Sequence, residues 1–158
     1  MNVELCLRLA YGFTEADFDH EDGGIRYVAY LNLGWNKKAF DDNDWEIRLA
    51  AYRALGFTTK AFDDSHNQIR REAYLTLGFT TKAFDDYYFD IRYDAYLKLG
   101  YTKKAFDDDY WAIRRNAYRV LGYTDKALDD KDERIREEAA IVLALKNKCR
   151  CGCKCCCK

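Results

Sequence analysis

The densest chemistry in this sequence sits at its C-terminus, where Cys149, Cys151, Cys153, Cys155, Cys156 and Cys157 are interleaved with lysine and arginine. Neighbouring cations favour the thiolate, and thiolates at Cys-x-Cys spacing suit soft ions such as Zn(II) or Cu(I). The spacing is neither the CxxC pair of a structural zinc site nor a ferredoxin pattern. Two other readings stand beside metal binding: S-acylation next to basic residues at a membrane surface, and a tail whose thiols have no dedicated role. A disulfide framework fails, because the rest of the chain offers only Cys6 as a partner.

Arginine and aspartate are the other reactive set. Arg26, Arg48, Arg70, Arg92, Arg114 and Arg136 recur at a fixed interval, and guanidinium groups in register could clamp phosphates or carboxylates bidentately. Aspartate pairs such as Asp41 and Asp42 precede these arginines, so the favoured reading is a structural ladder of inter-repeat ion pairs and helix caps. The same pairs could serve acid-base or metal chemistry, but catalysis needs one special place and these recur. His20, His66 and Ser65 complete a thin catalytic inventory. No third group orients Ser65 and His66, and there is no nucleophile elbow, phosphate-binding loop or zinc-hydrolase pair. A non-enzyme without a resident cofactor is expected, apart from any Zn or Cu held by the tail.

The elements that carry these residues follow from one period. Gly12, Gly34, Gly56, Gly78, Gly100 and Gly122 stand 22 residues apart, and Ile25, Ile47, Ile69, Ile91, Ile113 and Ile135 keep the same spacing. Self-similarity of this length predicts a stack of supersecondary units. Each unit reads as two helices. In the longer one Ile69, Ala73 and Leu77 fall at i, i+4 and i+8 beside Tyr74, giving one apolar stripe to be buried against neighbours. Glycine after the leucine is expected in the left-handed conformation as a C-terminal stop. Thr80 then reads as an N-cap, with Phe79 and Phe84 spaced as a hydrophobic staple. That leading helix is short and expected to be partly 3-10, because Asp85 and Asp86 are poor helix formers.

The predicted fold is therefore all-α: an alpha-solenoid of six 22-residue two-helix repeats beginning at 12, 34, 56, 78, 100 and 122, plus an N-terminal half-repeat over residues 3 to 11. The repeat domain is expected over 1–147, with a Cys/Lys-rich tail, read as disordered, over 148–158. Leu128, Ala140 and the charged run Lys131 to Arg134 depart from the pattern as a polar capping repeat would.

Composition narrows the partners. The chain has 158 residues, 49% of them hydrophobic and 34% charged, with no proline; this is globular usage rather than that of a disordered chain. Lys148, Arg150, Lys154 and Lys158 face no acid in the tail, which leaves 22 basic against 27 acidic side chains in the body. A body of that sign gives no phosphate-attracting field, which argues against bulk nucleic-acid binding. No stretch is apolar enough to span a membrane, and Met1-Asn2-Val3-Glu4 lacks a secretory leader's basic and apolar regions, so a cytoplasmic protein is expected.

Asp42, Asp44, Ile47, Arg48, Ala51 and Leu55 resemble the D-x-D-x-x-V-R-x-x-A-x-x-x-L signature of HEAT-like repeats, and more closely that of the leucine-rich repeat variant family. The match recurs partially in all six units; Asp22, Asp44 and Asp132 keep the second aspartate, whereas His66, Tyr88 and Tyr110 replace it. The family's prolines are missing and the unit is shorter. The resemblance implies a curved stack of helix pairs that binds another macromolecule. Some HEAT-like proteins bind or repair DNA, and some leucine-rich repeat variant proteins carry an iron-sulfur cluster on a separate cysteine-rich segment.

The informative positions are those that vary while everything around them repeats. The four residues before each isoleucine include Trp45, His66, Tyr87, Tyr88, Phe89, Tyr110 and Trp111, and the positions after the arginine include Tyr93 and Arg115. Exposed Trp, Tyr and Arg dominate interface energies, so this edge is expected to bind another protein. Three alternatives remain open. The aromatics could fold back as extra core, or pair two copies into a homodimer; or Arg71, Arg115, Arg119 and Lys98 could share a face that binds nucleic acid.

Overall fold

A computed structural model describes residues 3–150, with side chains to residue 146. Cys151, Cys153, Cys155, Cys156 and Cys157, and the side chain of Cys149, lie outside the described residues, so the readings of the tail do too. The described residues are all helical: α1 (Val3–Tyr11), then six repeats of a 3-10 helix and an α-helix. The 3-10 helices are η1 (Glu15–Asp19), η2 (Lys37–Asp41), η3 (Thr59–Asp63), η4 (Thr81–Asp85), η5 (Lys103–Asp107) and η6 (Asp125–Asp129). They alternate with α2 (Gly23–Leu33), α3 (Trp45–Leu55), α4 (Asn67–Leu77), α5 (Phe89–Leu99), α6 (Trp111–Leu121) and α7 (Glu133–Arg150), the last running past residue 147. No strand occurs among the described residues. The helices fall into two compact units, one up to Gly78 and one from Phe79, divided at a repeat boundary.

The leading helix of each repeat is wholly 3-10, five residues closed by bonds such as Ala83 N–H to the Thr80 carbonyl at 3.0 Å. Thr80 takes the N-cap position, but its hydroxyl makes no capping bond. The glycine stop differs from the sequence expectation in one dihedral. Gly34 has φ 101° and ψ 142°, and Gly100 has φ 96° and ψ 151°. Positive φ with extended ψ lies outside the compact left-handed well and is open essentially to glycine alone.

The core is narrower than the apolar stripe suggested. Ile69, Ala73 and Tyr74 are fully buried, whereas Leu77 is 44% exposed, as are Leu33, Leu55 and Leu121. Each step of four residues overshoots a full turn by about 40°, so the leucine at i+8 has rotated about 80° off the isoleucine. The tyrosine fills the volume instead. Tyr52 lies between Phe40, with ring centroids 4.5 Å apart, and Phe57, at 5.4 Å. Tyr96 lies between Phe84 at 4.5 Å and Tyr101 at 5.3 Å. The two aromatics read as a staple thus stack on tyrosines of successive α-helices: Phe57 on Tyr52, and Phe62 on Tyr74 at 4.5 Å.

The first layer replaces this contact with charge. Arg8 in α1 stands 22 residues before Tyr30, and Asp17 stands where later repeats bury an alanine. Arg8 Nε donates to Asp17 Oδ1 at 2.6 Å, and the Thr14 N–H donates to Oδ2 at 2.7 Å. Those bonds, the backbone one foremost, hold the Asp17 carboxyl below its usual range.

Candidate functional site

From the second repeat on, each loop between a 3-10 helix and its α-helix is fixed by the second aspartate of the pair; in the first repeat His20 stands there and its Nδ1 accepts the Asp22 N–H at 3.0 Å. Asp42, Asp64, Asp86, Asp108 and Asp130 each accept the N–H two residues on, at 2.8 to 2.9 Å. Within each compact unit the same carboxylates receive the arginine of the preceding repeat. Arg92 Nε and Nη2 reach Asp108 Oδ2 and Oδ1, both at 2.8 Å, and its Nη1 donates to the Asp86 carbonyl. Arg26 with Asp42, Arg48 with Asp64 and Arg114 with Asp130 repeat this fork. Arg70 and Arg136 keep the carbonyl bonds of their own loops, to the Asp64 and Asp130 carbonyls. The ladder is thus a set of internal clamps. Burial, the largest single influence, raises the carboxyls of Asp64 and Asp130. The hydrogen bonds from Arg48 and Arg114, the backbone N–H bonds of His66 and Asp132 and the charge of the two arginines together hold both below the usual range.

A second ladder runs on the surface and was not read from the sequence. The first aspartate of a pair meets the lysine of the next repeat: Asp19 with Lys38 at 2.5 Å, Asp107 with Lys126 at 2.6 Å, and likewise Asp41 with Lys60 and Asp85 with Lys104. A recurring spacing of 19 residues between opposite charges was the available signal.

With backbone and ladder satisfied, the variable loop residues decide what each repeat presents. In α2, α3 and α7 the residue before the helix or its equivalent is Asp22, Asp44 or Asp132, whose carboxylates accept the N–H of Gly24, Glu46 and Arg134. His66, Tyr88 and Tyr110 replace that aspartate and give no side-chain cap. Losing such a cap costs about 1 kcal/mol each. His66 stacks flat on Trp45, ring centroids 3.8 Å apart, and Tyr110 meets Phe89 at 4.1 Å. The first residue of one α-helix therefore touches the cap position of the next, a register that also presses Gly23 toward Asp44. Trp111 is covered by Arg134, whose guanidinium carbon lies 3.6 Å from the ring centroid.

The expected aromatic edge consequently divides. Trp45 and His66 are half-buried against each other in the first unit. In the second unit Tyr87, Tyr88, Phe89 and Tyr110 line one groove of about 800 Å3, with Arg92 and Tyr96 deeper. Tyr87 is 88% exposed, its ring edge-on to Tyr88 at 5.5 Å. Tyr93 and Arg115 do not join this groove: Asn116 donates to the Tyr93 hydroxyl at 3.1 Å, and Arg115 Nε donates to Glu138 at 2.7 Å. Sequence spacing did not separate these two sets, because both lie near the start of the same helix on different faces.

Arg119 Nε also donates to Glu138, at 2.8 Å, so two of the four cations needed for a nucleic-acid face are turned toward one carboxylate. Burial would raise Glu138, but Arg119 and Arg115 hold it down at about 2. A folded value below the ordinary 4.5 means the cluster stabilises the protein above that pH and loses this contribution as pH falls toward about 2. The urea midpoint of the wild type should fall further across that window than that of Glu138→Gln; parallel pH profiles would contradict the assignment.

Among the described residues no cluster of three His, Cys, Asp or Glu side chains is placed to hold a metal ion, and no helix is long and apolar enough to cross a membrane. The chain matches no protein-family model, no curated protein and no solved structure.

Proposed function

We propose that this protein is a non-enzymatic, cytoplasmic binding module that engages another protein through the aromatic groove of repeats four and five. The observation that carries the reading is Tyr87: a large ring left almost wholly in solvent, beside a Tyr88 that has displaced a capping aspartate. A ring whose one aromatic contact is the edge of Tyr88 adds little to the fold, while aromatic anchors of this kind supply most of the energy at protein interfaces. The arginine clamps and glycine stops hold the loops before docking, so little entropy is lost on binding. The partial resemblance to the HEAT-like signature, and the closer one to that of the leucine-rich repeat variant family, fit the same role.

The test compares two exposed-loop variants for retention of a purified partner. Tyr87→Ala with Tyr88→Ala should lose roughly 2 kcal/mol or more of binding, the range of interface anchors. Trp45→Ala, whose ring is engaged with His66, should bind like the wild type. Equal retention by all three proteins would exclude the groove as the contact surface.

A further inference from the structure

Four of the ladder arginines divide their guanidinium between two partners. Nη1 donates to carbonyls of the arginine's own loop. Nε and Nη2 hold an aspartate of the next repeat, 16 residues on: Asp42 for Arg26, Asp64 for Arg48, Asp108 for Arg92 and Asp130 for Arg114. The surface ladder is built the same way, an aspartate meeting the lysine 19 residues on. In both ladders one repeat supplies a receiving group and the repeat after it supplies the counter-charge.

The last repeat keeps both receiving groups. Arg136 holds the Asp130 and Lys131 carbonyls through Nη1 at 2.7 and 3.1 Å, so its guanidinium is anchored by the same two bonds as the others. Among the described residues no carboxylate meets its Nε or Nη2, and no cation meets the exposed Asp129, the first aspartate of the last pair. Ala144 stands where earlier repeats have their stop glycine, and α7 runs on to Arg150 instead of turning into another 3-10 helix. Ala140 replaces the tyrosine that elsewhere stacks on the first aromatic of the next repeat, as Tyr96 does on Tyr101 and Tyr118 on Tyr123. The ring contact is given up while the two charged groups remain.

Together these groups specify a ligand. In the 3-10 segments that satisfy them elsewhere, lysine and aspartate stand four residues apart: Lys38 and Asp42, Lys60 and Asp64, Lys104 and Asp108, Lys126 and Asp130. Two parallel guanidinium donors select a carboxylate, and Asp129 selects a cation. A second copy does not supply the pair. Its first repeat has Ala16 and His20 at these positions, with His20 Nε2 already 3.0 Å from Glu4. Its later 3-10 segments have both groups engaged.

We infer that the last repeat docks a segment of a partner protein carrying lysine and aspartate four residues apart, the aspartate accepting from Arg136 Nε and Nη2 and the lysine reaching Asp129. The surface shares no residue with the lining of the aromatic groove, so binding there stands or falls separately.

The probe is a synthetic peptide of residues 102–110, which holds Lys104 and Asp108 at the required spacing, titrated into the 15N-labelled full chain. The side-chain Nε–H signal of Arg136, identified by its loss in Arg136→Gln, should shift saturably, and the affinity should fall as salt is raised. The peptide with Asp108→Asn should bind about tenfold more weakly, as should the unchanged peptide to Arg136→Gln, followed through the backbone signals of α7. Lys104→Gln in the peptide or Asp129→Asn in the protein should weaken binding about twofold, the scale of an exposed pair, and both together no more than either alone. The peptide changes leave the protein untouched, so their effects cannot arise from misfolding. Equal binding of the peptide and its Asp108→Asn version, or by wild type and Arg136→Gln, overturns the docking surface. So does an Arg136 signal that no peptide moves. A signal that shifts with protein concentration alone makes a second copy the occupant and overturns the partner segment.

Discussion

Arg114→Ala is expected to destabilise the protein by about 3–5 kcal/mol, the range for removing one partner of a buried ion pair. Arg114 and Asp130 are 6% and 3% exposed, and the guanidinium makes three bonds to the carboxylate and two more to the Asp108 and Asp109 carbonyls. Alanine leaves the carboxylate sealed without its cation and strips two carbonyls of their donor. The surface ladder supplies the comparison. Lys126→Ala removes a pair whose side chains are 53% and 73% exposed, and exposed pairs contribute about 0–1 kcal/mol. Urea denaturation followed by circular dichroism should separate the two variants clearly, and a similar small loss from both would mean that the arginine ladder is not a structural clamp.

Tyr96→Ala should cost about as much, roughly 3–5 kcal/mol, by removing a buried aromatic ring and leaving a cavity between its two stacking partners. The ring is 1% exposed and held between Phe84 and Tyr101. Burial, with smaller contributions from the carboxylates of Asp108 and Asp85, pushes its phenol up to about 12. The hydroxyl therefore stays neutral throughout the physiological range, and the ring is the part that stabilises. Tyr96→Phe keeps every ring contact and should lose no more than about 1 kcal/mol, because the net contribution of a hydroxyl is small beside that of the ring. Equal losses from the alanine and phenylalanine variants would show that the hydroxyl, not the stack, holds the layer together.

Much of this was legible because a repeat states each rule six times. The positions of Gly78, Ile69 and Ala73 announced a two-helix unit and its buried face, and the aspartates announced loops and caps. Where a residue's role depends on rotation about a helix, the reading slipped: Leu77 sits on the stripe by spacing but has turned half into solvent. The glycine stop was recognised while its ψ was not, since a sequence shows that a side chain is forbidden without showing which Gly-only basin is used. The aromatic set was found as variable residues, but Trp45 looked the same as Tyr87.

What separates those two is the offset between neighbouring layers. That offset sets Trp45 on His66 and Phe89 on Tyr110, and turns Tyr87 outward into a groove. The order of residues alone determined the period, the helical elements and the alternation of clamp and variable loop, because these depend on interactions within one repeat. Which variable rings are consumed by packing and which remain available was decided only by tertiary structure. Contacts between side chains about one repeat apart depend on how two layers are rotated and shifted, a quantity that no local pattern encodes.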